Sequence, residues 1–527
     1  MRYSLLPWLA LAAPSLAAPT LSQTTVKAST GYYSGNINAT YTNVREFLNI
    51  PYGQTTAGKN RFMPPIKVPM SSNSFDATQY AKACPQYVSA VPAIWNKEVP
   101  QYLQYWGNDE LDAGESAVFT SEDCLSLAIW TPANATSASG LPVAMFMTGG
   151  GFQTNGILVP GQLPPHWVEL SQKHIVVTIN YRMNIMGFPN AAGVYEQNLG
   201  ILDQRMSLEW VRDNIAYFGG DPSRIMIWGQ SAGASSIDIH NYAYWEDPIA
   251  HAFFAESGSV LAFPISQYDV DHTNFTTVAK AVGCDSTDAE QELECMQQVD
   301  YNDIINFMGH HQDNATLVKA DADQPRLSFS AIPDERIVFS NYTARYQSGM
   351  VTKAPMIYGN TANEGAAFQP FPVDDPLSGI NQTAADQSTI GIMCCAAESS
   401  TLRDSIGLTT YRYQYAGNWT NQDPLPWMGA FHSSDLVMWF GSYPEGEGAP
   451  TKLEGQASAT MGELLLSFVT DPYNGPEALG WPAFDPTARD GGTMLRFGAD
   501  GKTVQKVAAN DVQAVCTDPS ASYDHSP

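Results

Sequence analysis

The sequence predicts an α/β fold, with a large, mostly parallel sheet covered by helices. Three observations carry this. Residues 175–181, Ile-Val-Val-Thr-Ile-Asn-Tyr, form a continuous apolar run of the kind found in strands buried on both faces. Residues 201–217 follow with helical spacing: Ile201, Leu208, Val211, Ile215 and Tyr217 are apolar, while Asp203, Arg205, Glu209 and Arg212 are polar. Gly219-Gly220-Asp221-Pro222 stops that helix, and a second apolar run, Ile225-Met226-Ile227-Trp228, begins just beyond it. Strand, helix and strand in alternation is the pattern of a parallel sheet.

The other elements fit this plan. Residues up to about 150 hold short β-rich runs between Pro and Gly turns, such as Val143 to Met147. Residues 270–350 carry polar, helix-like segments, for example Ala289 to Val299, expected as a helical layer on the sheet. Ala354 to Gly359 and Tyr411 to Tyr415 read as strands returning to it. The tail after about 516 reads as irregular and exposed. There is no internal repeat and no low-complexity stretch.

Composition narrows the class. The chain has 527 residues, 44% hydrophobic and 15% charged, which suits a packed globular enzyme rather than a disordered chain. Its net charge of −27 repels phosphate backbones and argues against a nucleic-acid partner. Arg2, the apolar run Leu5 to Leu16 and the small-residue site Ser15-Leu16-Ala17 read as a secretory signal over residues 1–17. Residues 18–527 are then expected to form one catalytic domain. No later run of eighteen apolar residues suggests a membrane span. Seven N-x-S/T sequons begin at Asn38, Asn134, Asn274, Asn314, Asn341, Asn381 and Asn418, a density that suits a secreted glycoprotein. Secretion also permits disulfides among Cys84, Cys124, Cys284, Cys295, Cys394, Cys395 and Cys516. Seven is odd, so at least one is left over or pairs between chains, and the spacing is not that of a zinc site.

The chemistry centres on Gly229-Gln230-Ser231-Ala232-Gly233, directly after the apolar run 225–228. A serine between glycines at a strand end reads as a nucleophile elbow, a turn too tight for large neighbours. A serine hydroxyl needs a base, the base needs an orienting carboxylate, and the oxyanion needs N–H donors. Thr148-Gly149-Gly150-Gly151-Phe152, after the run 143–147, supplies donor candidates in Gly150 and Gly151, joined by Ala232 after the serine. His432 is the best-placed base among nine histidines, in a loop that opens into the apolar segment Leu436 to Phe440. Glu364, following the run 354–358, is the acid candidate, at the strand end where α/β active sites lie. A lone glutamate or histidine in a loop is usually just structural. The order Ser…Glu…His is the one expected of α/β-hydrolases, and the joint agreement makes the set.

With these residues in hand, the chain resembles the type-B carboxylesterase/lipase family, which includes cholinesterases and fungal lipases. The resemblance runs from about Phe47 to Asp485. It rests on Phe47-Leu48-Asn49-Ile50-Pro51-Tyr52-Gly53 with Arg61-Phe62, on Ser121-Glu122-Asp123-Cys124-Leu125-Ser126-Leu127, on Asn180-Tyr181-Arg182, Asn198-Leu199-Gly200 and Asp203-Gln204, and on Phe218-Gly219-Gly220-Asp221-Pro222. It implies an α/β-hydrolase fold with a disulfide-closed lid or gorge loop. It also implies Ser231 as nucleophile, Glu364 as acid, His432 as base, and Gly150, Gly151 and Ala232 as oxyanion donors. It implies disulfides Cys84–Cys124 and Cys284–Cys295, and, by similarity to secreted fungal members, Cys395–Cys516 with Cys394 free; in sequence the two adjacent cysteines are interchangeable. Arg61 with Glu122 and Arg182 with Asp221 are implied ion pairs, and Ser257 an implied partner of Glu364.

Three residues depart from the family pattern. Gln230 stands where the family usually has Glu, which weakens the case for a choline-like substrate. Thr148 replaces the usual His or aromatic residue, with an effect expected at the pocket rim. Ser433 replaces the usual Gly after the histidine. The loop between Cys84 and Cys124 carries Tyr87, Val88, Val91, Ile94, Trp95, Tyr102, Leu103, Tyr105 and Trp106, which either meet an apolar substrate or pack the loop onto the body. The expected activity is hydrolysis of a relatively apolar small-molecule ester through an acyl-enzyme, with no metal or organic cofactor and no stable membrane anchor. The alternatives are a lipase for long-chain acylglycerols working at a transient lipid interface, an acyltransferase or cyclase on the same triad, and a non-catalytic adhesion protein.

Overall fold

The structure, a computed structural model, describes residues 24–103, 113–262, 268–317, 326–446 and 448–526. The signal segment and the loop aromatics Tyr105 and Trp106 lie outside the described residues. Eleven strands form the main sheet: β1 (Asn36–Ile37), β2 (Val44–Pro51), β3 (Ser126–Pro132), β4 (Leu141–Met147), β5 (Ile175–Ile179), β6 (Gly220–Gln230), β7 (Ala252–Glu256), β8 (Met356–Thr361), β9 (Thr410–Tyr415), β10 (Thr493–Phe497) and β11 (Val504–Ala508). Their order across the sheet is β11-β10-β9-β8-β7-β6-β4-β5-β3-β2-β1. From β10 to β5 every neighbouring pair is parallel. Antiparallel pairs close both ends.

Alternation along the central strands builds two cores. In β6, Ile225 and Ile227 face one layer, and Met226 and Trp228 the other. In β4, Val143, Met145 and Met147 join the first, and Ala144 and Phe146 the second. The first layer is covered by helices α1 (Leu199–Asn214) and α2 (Ala232–Ala243), through Leu208, Val211, Ile237 and Ile239. The second is covered by α4 (Leu436–Phe440) and α5 (Lys452–Thr470), around an aromatic cluster of Trp228, Phe254, Tyr413, Trp439 and Phe440. Between them in the chain runs α3 (Gln382–Ser405). Burying a Phe- or Leu-sized side chain contributes about 1.5–3 kcal/mol, so these aromatics account for much of the second layer's cohesion.

The helical face drawn from the sequence needs three corrections. Asp203 and Arg205 are buried, and Tyr217 is 46% exposed. For Asp203 the reason is an ion pair. Arg182 donates through Nε (2.8 Å) and its backbone N–H (3.0 Å) to one Asp203 oxygen and through Nη2 (2.7 Å) to the other. Its remaining nitrogen donates to the Met63 carbonyl. The expected Arg182–Asp221 pair therefore does not form. Asp221 sits in the turn before the strand core and accepts from Ser223 and Arg224, its own near neighbours. Arg61 and Glu122 do pair, at 2.6 and 2.7 Å, and Arg61 also donates to the carbonyls of Met296 and Val299. That single guanidinium ties the base of the Cys84–Cys124 loop to the segment closed by Cys284–Cys295.

Disulfides join Cys84 to Cys124 and Cys284 to Cys295. The third joins Cys394, not Cys395, to Cys516. Adjacent helical residues point about 100° apart, so only one of the two can face the C-terminal turn. Cys395 turns the other way and donates its thiol to the Leu261 carbonyl. The tail beyond it is irregular, as expected, yet not simply exposed: the Tyr523 hydroxyl donates to the Ala362 carbonyl at 2.6 Å, and His525 lies 3.1 Å from Asp386. Five of the sequon asparagines (Asn134, Asn314, Asn341, Asn381 and Asn418) are exposed. Asn38 and Asn274 are half-buried, with side-chain amides that donate to Glu46 and to the Ser328 carbonyl.

This packing sets three outcomes. Alkylation of the unreduced, unfolded protein should label Cys395 and leave Cys394 unlabelled in peptide mapping; label on Cys394 would contradict the pairing. Arg182→Ala should lower unfolding free energy by about 3–5 kcal/mol, because it strands a buried carboxylate. Asp221→Asn, at a solvated turn, should cost under about 1 kcal/mol. Denaturant titration of the two variants checks both.

Candidate functional site

The turn between β6 and α2 is the tightest feature of the site. Ser231 has φ 57° and ψ −122°, a strained backbone for any residue but glycine. Its N–H donates to the Glu256 carbonyl at 2.8 Å, and its carbonyl accepts from Ser235 N–H at 3.0 Å. The flanking glycines are required by contact. A Cβ on Gly229 would lie 2.4 Å from the Gly233 backbone, and one on Gly233 would lie 2.1 Å from the Met147 carbonyl. The turn thus presses β6 and α2 against the end of β4.

That strand end carries the glycine run. Gly150 and Gly151 have φ 93° and 64°, and Phe152 after them has φ 61°. Left-handed steps in succession turn the backbone N–H groups of this segment inward. Among the described residues, neither Gly150 nor Gly151 N–H has a protein acceptor. Ala232 is the first residue of α2, where helix geometry also leaves the N–H without an acceptor. Thr148 is buried, not at the pocket rim: its hydroxyl donates to Gln162 Oε1 and its carbonyl accepts from Tyr181.

Glu364 opens the short 3-10 helix Glu364–Phe368 after β8 and is fully buried. One carboxylate oxygen accepts from the Thr361 N–H at 2.7 Å. The other lies 2.5 Å from His432 Nδ1. The two loops that bring them together are sewn by backbone. Asn363 N–H donates to the Ala430 carbonyl at 2.8 Å, and the Asn363 side chain donates to the carbonyls of Trp427 and Met428. Asn363 is a positioning residue that the sequence did not single out, because an Asn beside a Glu carries no signal of its own. With Nδ1–H donated to Glu364, Nε2 of His432 is an acceptor, and the Gln230 amide lies 3.0 Å from it. The Gln230 departure thus bears directly on the histidine. Ser433 has φ 75°, the region glycine prefers, which explains the family's usual Gly and implies about 1 kcal/mol of local strain.

Ser231, His432, Gly150 and Gly151 line one cavity of about 500 Å³. Its upper wall is apolar: Trp95, Tyr102, Leu103, Phe368 and Ile392. Residues of the Cys84–Cys124 loop both pack onto the body and line this cavity. Ile94 and Val88 are buried against the body, and Tyr102 and Trp95 meet Phe431, beside the histidine, edge to face while also lining the cavity. A second cavity of about 310 Å³, lined by Phe152, Ile239, Leu327 and Phe329, meets the first at Gly151. Ser257 lines the main cavity, but its hydroxyl is buried without a partner, so the expected bond to Glu364 is not made. The cause is local: Ser257 adopts φ 56° at the end of β7, while the Glu364 oxygens are engaged by Thr361 and His432.

A second set of acidic groups lies behind this cavity. Glu256 accepts from Trp228 Nε1 at 2.7 Å, and Asp435 accepts from the Tyr413 hydroxyl at 2.8 Å. Burial, then each other's proximity, pushes the Glu256 carboxyl well above the usual carboxylate range, and burial lifts Asp435 to about 6. Neither carries a signature of its own in the sequence, since each is an ordinary acidic residue at an element end.

Comparison with known proteins agrees with this architecture. The carboxylesterase family model matches residues 22–400. A secreted lipase, "Secreted lipase 5" of Gibberella zeae, is 35% identical, covering 97% of each chain. "Chlorogenic acid esterase" of Aspergillus niger is 38% identical, covering 93% of each. A solved PNB esterase structure superposes with a TM-score of 0.71 at 22% identity, covering 93% of this chain and 98% of that one, and so shares the fold. A family model spanning most of the chain, full-length relatives and a shared sheet together place this chain in the carboxylesterase family, as a carboxylic ester hydrolase of α/β-hydrolase fold.

Proposed function

We propose that the chain is a secreted serine esterase acting on a relatively apolar ester, with Ser231 as nucleophile, His432 as base and Glu364 as orienting acid. The observation that carries this reading is the 2.5 Å contact between His432 Nδ1 and the buried Glu364, with His432 lining a cavity together with Ser231, Gly150 and Gly151. His432 takes the Ser231 proton at Nε2 as Oγ bonds to the ester carbonyl carbon. The oxyanion is met by the N–H groups of Gly150, Gly151 and Ala232. The imidazolium then protonates the leaving alcohol, and water, deprotonated by the same histidine, releases the acid from acyl-Ser231. Glu364 fixes the ring tautomer and stabilises its cation.

Trp95, Tyr102, Leu103 and Phe368 favour an apolar or aromatic group, and the two full-length relatives are named as a secreted lipase and a chlorogenic acid esterase. The second cavity, which shares Gly151 with the first as a lining residue, favours one further reading, a lipase whose long acyl chain reaches past the glycine run. Secretion is supported by the N-terminal signal pattern, the three disulfides and the five exposed sequons. No helix among the described residues is long and apolar enough to cross a membrane.

Hydrolysis of p-nitrophenyl esters from acetate to palmitate tests the reading. Ser231→Ala should lower kcat by about 10⁴-fold or more, and Glu364→Gln by about 10³–10⁴-fold, with KM little changed. An optimum at short acyl chains supports the esterase reading, and one at palmitate the lipase reading. A Ser231→Ala variant with wild-type turnover would overturn both.

A further inference from the structure

The lone pair of His432 Nε2 is already taken, and not by the serine. Glu364 holds Nδ1 at 2.5 Å, so the ring proton sits on Nδ1 and Nε2 offers a single in-plane acceptor site. The Gln230 amide nitrogen lies 3.0 Å from it. The Ser231 hydroxyl makes no hydrogen bond with any described residue. Gln230 is the last residue of β6, next to Ser231 in the chain, and both line the cavity with His432. Two donors therefore stand beside one acceptor.

The direction of the Gln230 amide follows from chemistry and from contact. An amide oxygen turned towards a bare ring nitrogen would set two acceptors against each other, so the NH2 end faces His432. The oxygen end lies along the glycine run. A Cβ on Gly149 would come within 2.5 Å of the Gln230 carbonyl, 2.9 Å of Gln230 Oε1 and 3.0 Å of Ser231 Cβ. Gly149 is not in the left-handed region, unlike Gly150 and Gly151, so contact with residues 230 and 231 is what excludes a larger residue there. Gln230 is only 2% exposed, which confines its side chain to this place. The carboxylate that the family usually carries here could not make the contact with a neutral ring, because it has no proton to donate.

We propose that Gln230 is a positioning residue that holds the neutral His432 ring by Nε2 in the free enzyme, competes with Ser231 for that lone pair, and yields it when an ester fills the cavity. The inference rests on the reading of Ser231 as nucleophile and His432 as base. Proton transfer from Ser231 requires its O–H to point at Nε2. That arrangement cannot coexist with the Gln230 N–H at the same site. The contact belongs to the ground state and is absent from the transition state, so it lowers kcat/KM. In return, the ring is fixed in orientation and tautomer at both nitrogens before substrate arrives.

The test uses the full chain and reads both rate and spectrum. Gln230→Met keeps the side-chain length and removes the donor. Its kcat/KM for p-nitrophenyl acetate should rise about two- to tenfold, as expected for loss of one hydrogen bond from the ground state alone. Phosphorylation of Ser231 by diethyl p-nitrophenyl phosphate should speed up by a similar factor. In that step Ser231 Oγ bonds to phosphorus, p-nitrophenolate leaves and His432 takes the serine proton. Rates that are unchanged or lower would overturn the competition, and a merely structural Gln230 would give lower ones. The second reading is the ¹⁵N spectrum of protein carrying labelled histidine, with His432 assigned by the signals lost in His432→Gln. Ser231→Ala should leave the Nε2 resonance in place, because Gln230 is its donor. Ser231→Ala/Gln230→Met should move it downfield, as loss of a donor to a ring nitrogen does. A resonance that moves in Ser231→Ala alone would identify the serine as the donor, and the proposal fails. Should Gln230→Met not fold, Ser231→Ala still decides which residue holds the ring. Failure of the underlying reading shows differently, as turnover that survives Ser231→Ala or His432→Ala.

Discussion

Everything at the site depends on one turn. The chain must leave β6 and enter α2 through a single residue, Ser231, at φ 57°. Such a backbone costs on the order of 1–3 kcal/mol and persists only where its surroundings over-determine it. Here they do. The Ser231 N–H is held by β7, the Gly229 and Gly233 backbones touch, and Gly233 rests on the end of β4. Since β4 also leads into the glycine run at 149–151, one close contact sets the serine and its neighbouring N–H donors in a fixed relation. A methyl group at either elbow glycine would force these three elements apart, and the cavity with them.

The second dependency runs through the face opposite α1. Trp228, Phe254, Tyr413, Trp439 and Phe440 make a dry aromatic layer directly beneath the site. That layer holds α4 in place, and α4 follows His432 by only a few residues. The histidine loop is then fixed twice, from below by this packing and from the side by the backbone bond between Asn363 and Ala430. The C-terminal tail adds a third hold on the acid: Cys394–Cys516 brings the chain end to α3, and Tyr523 bonds the Ala362 carbonyl two residues before Glu364.

The strands and the Ser…Glu…His order were legible in the sequence because each has a local signature: an apolar run, a glycine-flanked serine, a polar residue at a strand end. What was not legible depends on direction rather than on spacing. Arg182 could have paired with any nearby acid, and only the rotation of α1 points Asp203 at it while Asp221 is satisfied by Arg224. Cys394 and Cys395 are equivalent in sequence, and only the phase of α3 separates them. Ser257 lines the cavity with Ser231 and His432, yet its hydroxyl is unbonded and the Glu364 oxygens are taken by Thr361 and His432. Asn363 works through contacts to backbone carbonyls of a segment more than sixty residues away, which nothing in the local sequence announces.

The most direct test of the central claim is covalent. Incubation of the intact protein with diethyl p-nitrophenyl phosphate, followed by peptide mass spectrometry, should find one diethylphosphoryl group on Ser231, formed with loss of p-nitrophenol. The same treatment of His432→Ala should label far more slowly, since phosphorylation needs the same base. An unmodified Ser231 in folded protein, or an adduct on another residue, would contradict the account of this site as a serine esterase centre.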